Sequence, residues 1–101
     1  MTWIDVAAAD LPDETLVSAA HGVSLAAVAR VAGEWLAIDG WCSHEECPLG
    51  DGWVEADAVR CACHGSLFSL TTGAVLEGPA TDPVAVYPTR VLDGRVEVEL
   101  P

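Results

Sequence analysis

Alternating apolar and polar positions run along most of the chain, and the pattern is clearest near its C-terminal end. In the stretch RVLDGRVEVEL, apolar residues alternate with glutamates from Val96 to Leu100. Asp93-Gly94 lies between the two apolar runs, and this dipeptide favours a two-residue turn. The stretch predicts a β-hairpin with one buried face and one face in water.

Similar short runs predict strands elsewhere in the chain. The runs richest in β-branched or alternating apolar residues are TLVSA, VSLAAVARV, EWLAID, AVRC, SLFSL and PVAVYPTRVL. Only MTWIDVAAADLP leaves room for a short helical turn. Short strands at this spacing predict an all-β sandwich or barrel.

Two segments break the alternation and are rich in Cys, His, Gly and Pro. They are residues 41–52, which begin WCSHEECPLG, and residues 61–66, which read CACHGS. The sixteen residues between His44 and Cys61 are enough for two short strands, GWVEA and DAVRC, joined by a tight turn. We therefore expect the two segments to meet as loops at one end of a hairpin.

Length and composition bound the class of protein. The chain has 101 residues, of which 51% are apolar and 20% are charged, as in folded globular proteins. We expect a single domain, residues 1–101, with a core small enough for a metal site to matter to its stability. The longest apolar stretch contains Arg30 and is shorter than the roughly 20 residues of a membrane span. The N-terminal residues lack the basic segment of a secretory signal, so the expected location is the cytoplasm, without a membrane anchor.

The charge balance is strongly acidic. Sixteen carboxylates against four arginines and no lysine give a formal net charge of -12. We expect no nucleic acid as a partner, because phosphate binding requires clustered Lys and Arg. The acidity either steers the protein towards a partner with a basic patch or serves solubility alone.

The two loops contain residues of the types that bind metals. Cys42 and His44 are separated by one residue, and Cys61 and His64 by two. Two Cys and two His can form a tetrahedral zinc site, but the spacing of Cys42 and His44 is tighter than in a usual zinc-binding pair. It suits two neighbouring metal atoms better, as in a 2Fe-2S cluster with the cysteines on one iron and the histidines on the other. Neutral imidazoles in place of thiolates remove negative charge from such a cluster and raise its reduction potential.

The order Cys-x-His followed after sixteen residues by Cys-x-x-His resembles the motif of Rieske iron–sulfur proteins. The stretches WIDVAAADLPDETL, CPLGDG and GSLFSLTTGAVLEGPATDPVAVYP are similar to segments of small Rieske ferredoxins, so the resemblance covers most of the chain. It implies stacked antiparallel sheets, with a small cluster-binding subdomain on a larger β base. It also implies that Cys42 and Cys61 bind the inner iron of one 2Fe-2S cluster, and that His44 and His64 bind the outer, more exposed iron.

The resemblance also assigns residues around the cluster. Residues 77–83, which include Pro79, are implied to form a third loop that shields the cluster. Ser66 matches a serine whose hydroxyl donates to a bridging sulfide in the high-potential Rieske proteins of cytochrome bc complexes. Phe68 stands where those proteins have a tyrosine that donates to a ligating cysteine sulfur.

Cys47 and Cys63 match the two cysteines that form a disulfide between the cluster loops of the bc-type proteins. Most oxygenase ferredoxins lack this pair, so the chain departs here from the pattern it otherwise resembles. We expect a disulfide between them. Two free thiols are the alternative in a reducing cytoplasm.

The function implied by the resemblance is electron transfer rather than catalysis. The catalytic subunits of ring-hydroxylating oxygenases need two further histidines for a mononuclear iron, and only His21 remains besides His44 and His64. The chain is similar instead to a soluble ferredoxin that carries single electrons from a flavin-dependent reductase to a terminal oxygenase, as a monomer with transient partners. Two alternatives stay open: an accessory subunit similar to the small subunit of nitrite reductase, and a structural module stabilised by zinc.

The other histidine and the tryptophans have structural interpretations. We expect His21 at the surface, in a His-Gly turn. We expect Trp3, Trp35, Trp41 and Trp53 in the core or packed under loops, with Trp41 also placed to shield the cluster from water.

Overall fold

Antiparallel strands form nearly the whole architecture. The structure is a computed structural model that describes all 101 residues. It contains one short 3-10 helix, Leu49–Asp51, and eleven strands: β1 (Thr2–Ala8), β2 (Leu16–His21), β3 (Ser24–Val31), β4 (Glu34–Asp39), β5 (Trp53–Glu55), β6 (Ala58–Arg60), β7 (Leu67–Ser69), β8 (Val75–Glu77), β9 (Val86–Tyr87), β10 (Thr89–Leu92) and β11 (Arg95–Leu100). It has no helix of the length and apolar character that a membrane crossing requires.

The strands form three sheets. Their strand orders are β1-β11-β10 in the first sheet, β2-β3-β4-β9 in the second and β5-β6-β7-β8 in the third. One core joins the first two sheets and contains Val28 and Val98. The other joins the second and third sheets and contains Ile38, Val59 and Phe68. The prediction of an all-β fold with stacked antiparallel sheets is confirmed.

Strand β3 lies in the middle of this stack and is buried on both faces. Ala26 and Val28 belong to the core against the first sheet, whereas Ala27 and Ala29 belong to the core against the third sheet. A strand covered on both sides needs a continuous apolar run rather than an alternating one. The small alanine side chains of VSLAAVARV allow close packing on both faces.

The C-terminal hairpin has the predicted form. Asp93 and Gly94 both have positive φ, 52° and 75°, as a tight turn between two twisted strands requires. From Val96 to Leu100, the apolar side chains are fully buried and the glutamates between them are partly exposed.

The N-terminal segment, where the sequence left room for a short helical turn, forms a strand instead. Residues Thr2–Ala8 form β1, which pairs with β11 along its length and has one irregularity in register between Asp5 and Ala7. The alternating face of β11 offers an apolar surface and unpaired backbone groups to this segment. Pairing with β11 therefore overrides the helical preference of the three alanines that follow Val6.

Two further details differ from the sequence pattern. The run PVAVYPTRVL is divided at Pro88 into β9, which pairs with β4, and β10, which pairs with β11. Proline has no backbone N–H to donate, so the change of sheet takes place where a ladder would be interrupted in any case. Strand β8 was not predicted, because three residues with only two apolar side chains give too short a pattern.

Candidate metal centre

The third sheet places the two Cys- and His-rich loops side by side. Trp53 of β5 pairs with Arg60 of β6, so the loop that leads into β5 and the loop that leaves β6 start next to each other. Ala56 takes a positive φ of 53° in the intervening turn. Gly52 lies so close to the Arg60 carbonyl that no side chain fits there. The expected meeting of the two loops at one end of a hairpin is confirmed.

A disulfide joins the two loops. Cys47 and Cys63 are bonded, with their Cα atoms 6.4 Å apart. Cys47 is buried, whereas Cys63 is exposed. The pairing implied by the resemblance to bc-type proteins is therefore the one that the structure shows.

The two remaining cysteines lie inside the protein, and the two loop histidines lie outside. Cys42 and Cys61 are free thiols with exposed fractions of 6% and 2%. The imidazoles of His44 and His64 are both exposed, and their ring centroids are 5.2 Å apart in an edge-to-face arrangement. The loops thus present one pair of sulfurs towards the core and one pair of ring nitrogens towards the surface.

The pKa of the Cys61 thiol is raised, which opposes the loss of the proton that metal binding requires. Burial raises this pKa, and the neighbouring Cys42 thiol raises it further, while the backbone N–H groups of Cys63 and His64 lower it. A buried thiol with a raised pKa becomes a thiolate more readily when a cation compensates its negative charge. Two thiols and two imidazoles, one of each from each loop, are the donor set of a 2Fe-2S cluster with mixed ligands. The residues present therefore fit such a cluster.

One carboxylate shares the imidazole side of the site. The Glu45 carboxylate lies 3.5 Å from Nδ1 of His64. The side chains of His44, Glu45 and His64 all bring a potential ligand atom within 4.8 Å of one another, and all three are exposed. Glu45 was not identified from the sequence, although its position between His44 and Cys47 placed it in the loop.

The third loop, residues 77–83, contacts both of the others. The backbone N–H of Ala80 donates to the Ser66 hydroxyl at 3.0 Å, and the Ser43 hydroxyl donates to the Asp82 carbonyl at 2.5 Å. Ser66 is fully buried, and because its oxygen accepts the Ala80 bond, its own hydroxyl hydrogen is available to another acceptor. Pro79 follows a cis peptide bond and is exposed, while Ala80 is buried. The hydrogen bonds of this loop to the other two are made by Ala80 and Asp82.

Sequence reasoning missed Arg60, which has the largest set of side-chain contacts near the loops. Its guanidinium donates to both carboxylate oxygens of Glu55 at 2.6 and 2.9 Å, to Glu77 at 3.2 Å and to the Gly65 carbonyl at 2.7 Å. Trp53 donates to the same Glu55 carboxylate at 2.7 Å. The one available signal in the sequence was that Arg60 directly precedes Cys61.

The assignments of the remaining aromatic residues are partly confirmed. Trp35 is buried and donates to the Ala9 carbonyl, and Trp3 is partly buried with the Arg90 guanidinium 4.1 Å from its ring centroid. Trp41 and Trp53 are 40% and 49% exposed, so the expectation that all four tryptophans are packed away is wrong for these two. His21 is exposed at the end of β2, as expected.

Comparisons with known proteins agree with this site. The Rieske [2Fe-2S] domain family matches residues 2–88. The chain is 43% identical over 74 residues to the ferredoxin subunit of anthranilate 1,2-dioxygenase from Burkholderia cepacia, which covers 73% of this chain and 68% of that protein.

Solved structures give the same result for the fold. A chain in the complex of reduced oxygenase and oxidised ferredoxin of carbazole 1,9a-dioxygenase matches with a TM-score of 0.89 and 32% identity, over 95% of this chain and 91% of that one. A chain described as an NADH-dependent nitrite reductase small subunit from Mycobacterium tuberculosis matches with a TM-score of 0.82 and 25% identity, over 96% and 93%. This chain belongs to the Rieske [2Fe-2S] domain family, and its cofactor is one 2Fe-2S cluster.

Proposed function

We propose that the chain is the ferredoxin of a multicomponent oxygenase system, which takes single electrons from a flavin-dependent reductase and passes them to a terminal oxygenase. It acts as a monomer in the cytoplasm, with transient partners and without transforming a substrate. The observation that carries this proposal is the exposed pair His44 and His64 beside a buried pair of thiols. If a redox group is bound between these two pairs, a partner protein that contacts the exposed imidazoles comes close to it.

The proposed ligands are the four residues that the loops bring together. Cys42 and Cys61 hold one iron, and His44 and His64 hold the other. The cluster supplies a centre that gains or loses one electron, with a potential raised by its neutral ligands. The chain contributes the positions of these ligands: the disulfide joins the two loops, and the Ala80 N–H and the Ser66 hydroxyl join the third loop to the second.

Charge around the exposed histidines suits a partner with a basic patch. Glu45 and Glu46 directly follow His44 in the sequence and are exposed, and Asp82 of the third loop is exposed as well. All four arginines of the chain form ion pairs with its own carboxylates. The surface of the loops therefore presents carboxylates that no arginine neutralises, and these steer a basic partner towards the imidazoles.

An optical spectrum and ligand variants test the proposal together. The purified protein is expected to be brown, with a visible spectrum that bleaches on one-electron reduction. His44→Ala and His64→Ala should each lose this spectrum and much of the stability of the fold, because metal binding is coupled to folding. His21→Ala is the matched control, since its ring is exposed and distant in sequence from the loops. Retention of colour in the two loop variants, with loss in the control, would contradict the ligand assignment.

An accessory subunit of a nitrite reductase remains the second candidate, favoured by the matching fold of such a small subunit. The complete set of two cysteines and two histidines supports the shuttle instead. Stopped-flow reduction of an oxygenase by the pre-reduced protein separates the two functions. A shuttle transfers its electron and dissociates, whereas an accessory subunit stays bound to its enzyme and is not reoxidised on its own.

A further inference from the structure

We propose that Arg60 is a positioning residue for the second cluster loop, residues 61–66. Its guanidinium lies on the face of the third sheet that points away from the core, and it holds the Gly65 carbonyl there. The inference rests on the proposed ligand set, in which that loop carries Cys61 and His64. Arg60 lies directly before the first of these ligands, and Gly65 lies directly after the second. The side chain thus connects the two ends of the segment that bears both ligands.

The register of the third sheet brings the partners of Arg60 together. Trp53, Arg60, Leu67 and Glu77 are consecutive cross-strand neighbours, so their side chains share one face. The opposite face carries Val59 and Phe68, which lie in the core. Arg60 extends across β7 to reach Glu77 of β8, and its side chain is only 20% exposed. Its charged group is therefore confined between two carboxylates rather than free in solvent.

Glu55 is the main anchor of this guanidinium. The two form a bidentate pair, the geometry that gives an arginine–carboxylate contact both strength and direction. The Trp53 indole N–H restrains the same carboxylate. Hydrogen bonds from Arg60 and then Trp53 lower the pKa of Glu55. Glu77, with one longer contact, is the weaker anchor.

The third nitrogen of the Arg60 guanidinium, Nη1, binds the loop. It donates to the Gly65 carbonyl at 2.7 Å, where Gly65 has a positive φ of 81°. In a trans peptide the C=O and N–H point in opposite directions. Fixing the Gly65 carbonyl towards Arg60 therefore turns the Ser66 N–H away from it, into the fully buried surroundings of Ser66. The plane of this peptide determines how the loop enters β7 and where the Ser66 hydroxyl lies.

The loop has only two backbone bonds of its own to keep this geometry. Cys61 donates to the Ser66 carbonyl at 2.8 Å, and Gly65 donates to the Cys61 carbonyl at 3.0 Å. These bonds close the loop on itself but do not connect it to the neighbouring strands β5 and β8. Arg60 supplies that connection, through Glu55 and Glu77.

The test compares cluster-loaded variants of the whole chain. Arg60→Lys keeps the positive charge but loses the planar fork, so it cannot bind two carboxylates and a carbonyl at the same time. We expect its EPR spectrum and visible circular dichroism to shift, and its cluster to be lost to a chelator roughly tenfold faster, as when an outer partner of a metal site is removed. Arg60→Met, which also removes the charge, is expected to show the same spectral shift.

Two comparisons separate positioning from charge and from general stability. Arg95→Lys is the matched control, because Arg95 also forms a bidentate pair, with Asp5, but on the first sheet. It should leave the spectra and the rate of cluster loss as in the parent. Glu55→Gln should give a smaller shift in the same direction as Arg60→Lys, and Glu77→Gln a still smaller one.

The outcomes distinguish this inference from the proposed function. A parent chain without a Rieske spectrum would contradict the ligand set itself. A parent with that spectrum and an Arg60→Lys variant identical to it would overturn the positioning role alone, as would a shift seen in Arg60→Met but not in Arg60→Lys. If the Arg60 variants do not load a cluster, Glu55→Gln decides, and spectra equal to those of the parent would again overturn the role.

Discussion

Ser66 is the residue whose hydroxyl we propose to affect the reduction potential. It is fully buried, and its oxygen accepts the Ala80 N–H, so its hydrogen can be donated to a sulfur of the site. Phe68, two residues later, lies in the same core as Cys42 and Cys61 but has no hydroxyl. A donor near the cluster stabilises the more negative, reduced form. With one of the two hydroxyls of the high-potential proteins, the potential should lie inside the Rieske range of roughly -150 to +300 mV.

Removing or adding one hydroxyl tests this interpretation. Ser66→Ala should lower the potential by on the order of 60 mV, because a one-electron couple shifts by about that much for about 1.4 kcal/mol, near the worth of one hydrogen bond. Phe68→Tyr should raise it if the new hydroxyl reaches a cysteine sulfur. Protein-film voltammetry on the parent and both variants measures the shifts. An unchanged potential in Ser66→Ala would show that this hydroxyl does not donate to the cluster.

Residues whose role depends on local spacing could be predicted from the sequence, and those that depend on pairing between strands could not. The candidate ligands Cys42, His44, Cys61 and His64 are each defined by a neighbour two or three positions away. The role of Arg60, in contrast, needs the registers of all four strands from β5 to β8, which bring Glu55 and Glu77 to one guanidinium. No pattern along the chain shows those registers.

Among the elements, the β5–β6 hairpin has the greatest consequence for the site. Its two ends lead into the two cluster loops, and the disulfide between Cys47 and Cys63 closes the segment into a ring with a sequence separation of 16. A ring of this size is worth about 3 kcal/mol through the entropy of the unfolded chain. The loops are therefore kept together even before a metal is bound.

The disulfide is tested by counting thiols. Alkylation of the denatured protein without reductant should modify two cysteines, Cys42 and Cys61, and leave Cys47 and Cys63 unmodified in mass spectrometry. Prior reduction should expose all four and serves as the control. Labelling of all four cysteines without reductant would refute the disulfide in the purified protein. Replacing both Cys47 and Cys63 by Ser should lower the free energy of unfolding by about 3 kcal/mol.

An ion pair between strands β1 and β11 predicts that the stability of the fold depends on pH. Arg95 forms two hydrogen bonds with the Asp5 carboxylate and lowers its pKa, with the hydrogen bond as the largest cause. A carboxyl with a lowered pKa in the folded state adds stability above its unfolded pKa, and this stability is lost as the pH falls through the folded value.

The difference in unfolding free energy between the parent and Asp5→Asn should therefore be present at neutral pH and shrink below about pH 3.9. Chemical denaturation of both proteins across that range measures it. Loss of the cluster in acid affects both proteins alike, so it cancels in the comparison. A difference that stays constant down to the lowest pH would show that the pair contributes no stability.

At the scale of the whole molecule, the dominant property is an excess of negative charge with no unpaired arginine. Every arginine is paired within the chain, and the formal net charge is -12. The long-range field is therefore negative, including at the loops. Exposed charges interact over a Debye length of about 8 Å at physiological salt, so their main effect is on the rate of encounter.

Electron transfer to the partner should accordingly slow as salt is added, by roughly tenfold or more between low and high ionic strength. Stopped-flow rates at several salt concentrations give the slope. Glu46→Gln, in the loop that carries His44, should reduce this slope, whereas Asp93→Asn, in the turn between β10 and β11, should not. A rate independent of salt in the parent would mean that the acidity serves solubility only.

The burial of the thiols and the exposure of the imidazoles also have a consequence for chemical durability. Thiolates are the ligands that peroxide and other products of oxygen reduction attack, and their susceptibility follows their exposure to solvent. Cys42 and Cys61 are almost completely covered, and Cys47 and Cys63 are already oxidised to a disulfide. In the proposed ligand set, the imidazoles therefore face the solution, and an electron can pass to a partner without exposing a cysteine sulfur to oxidants.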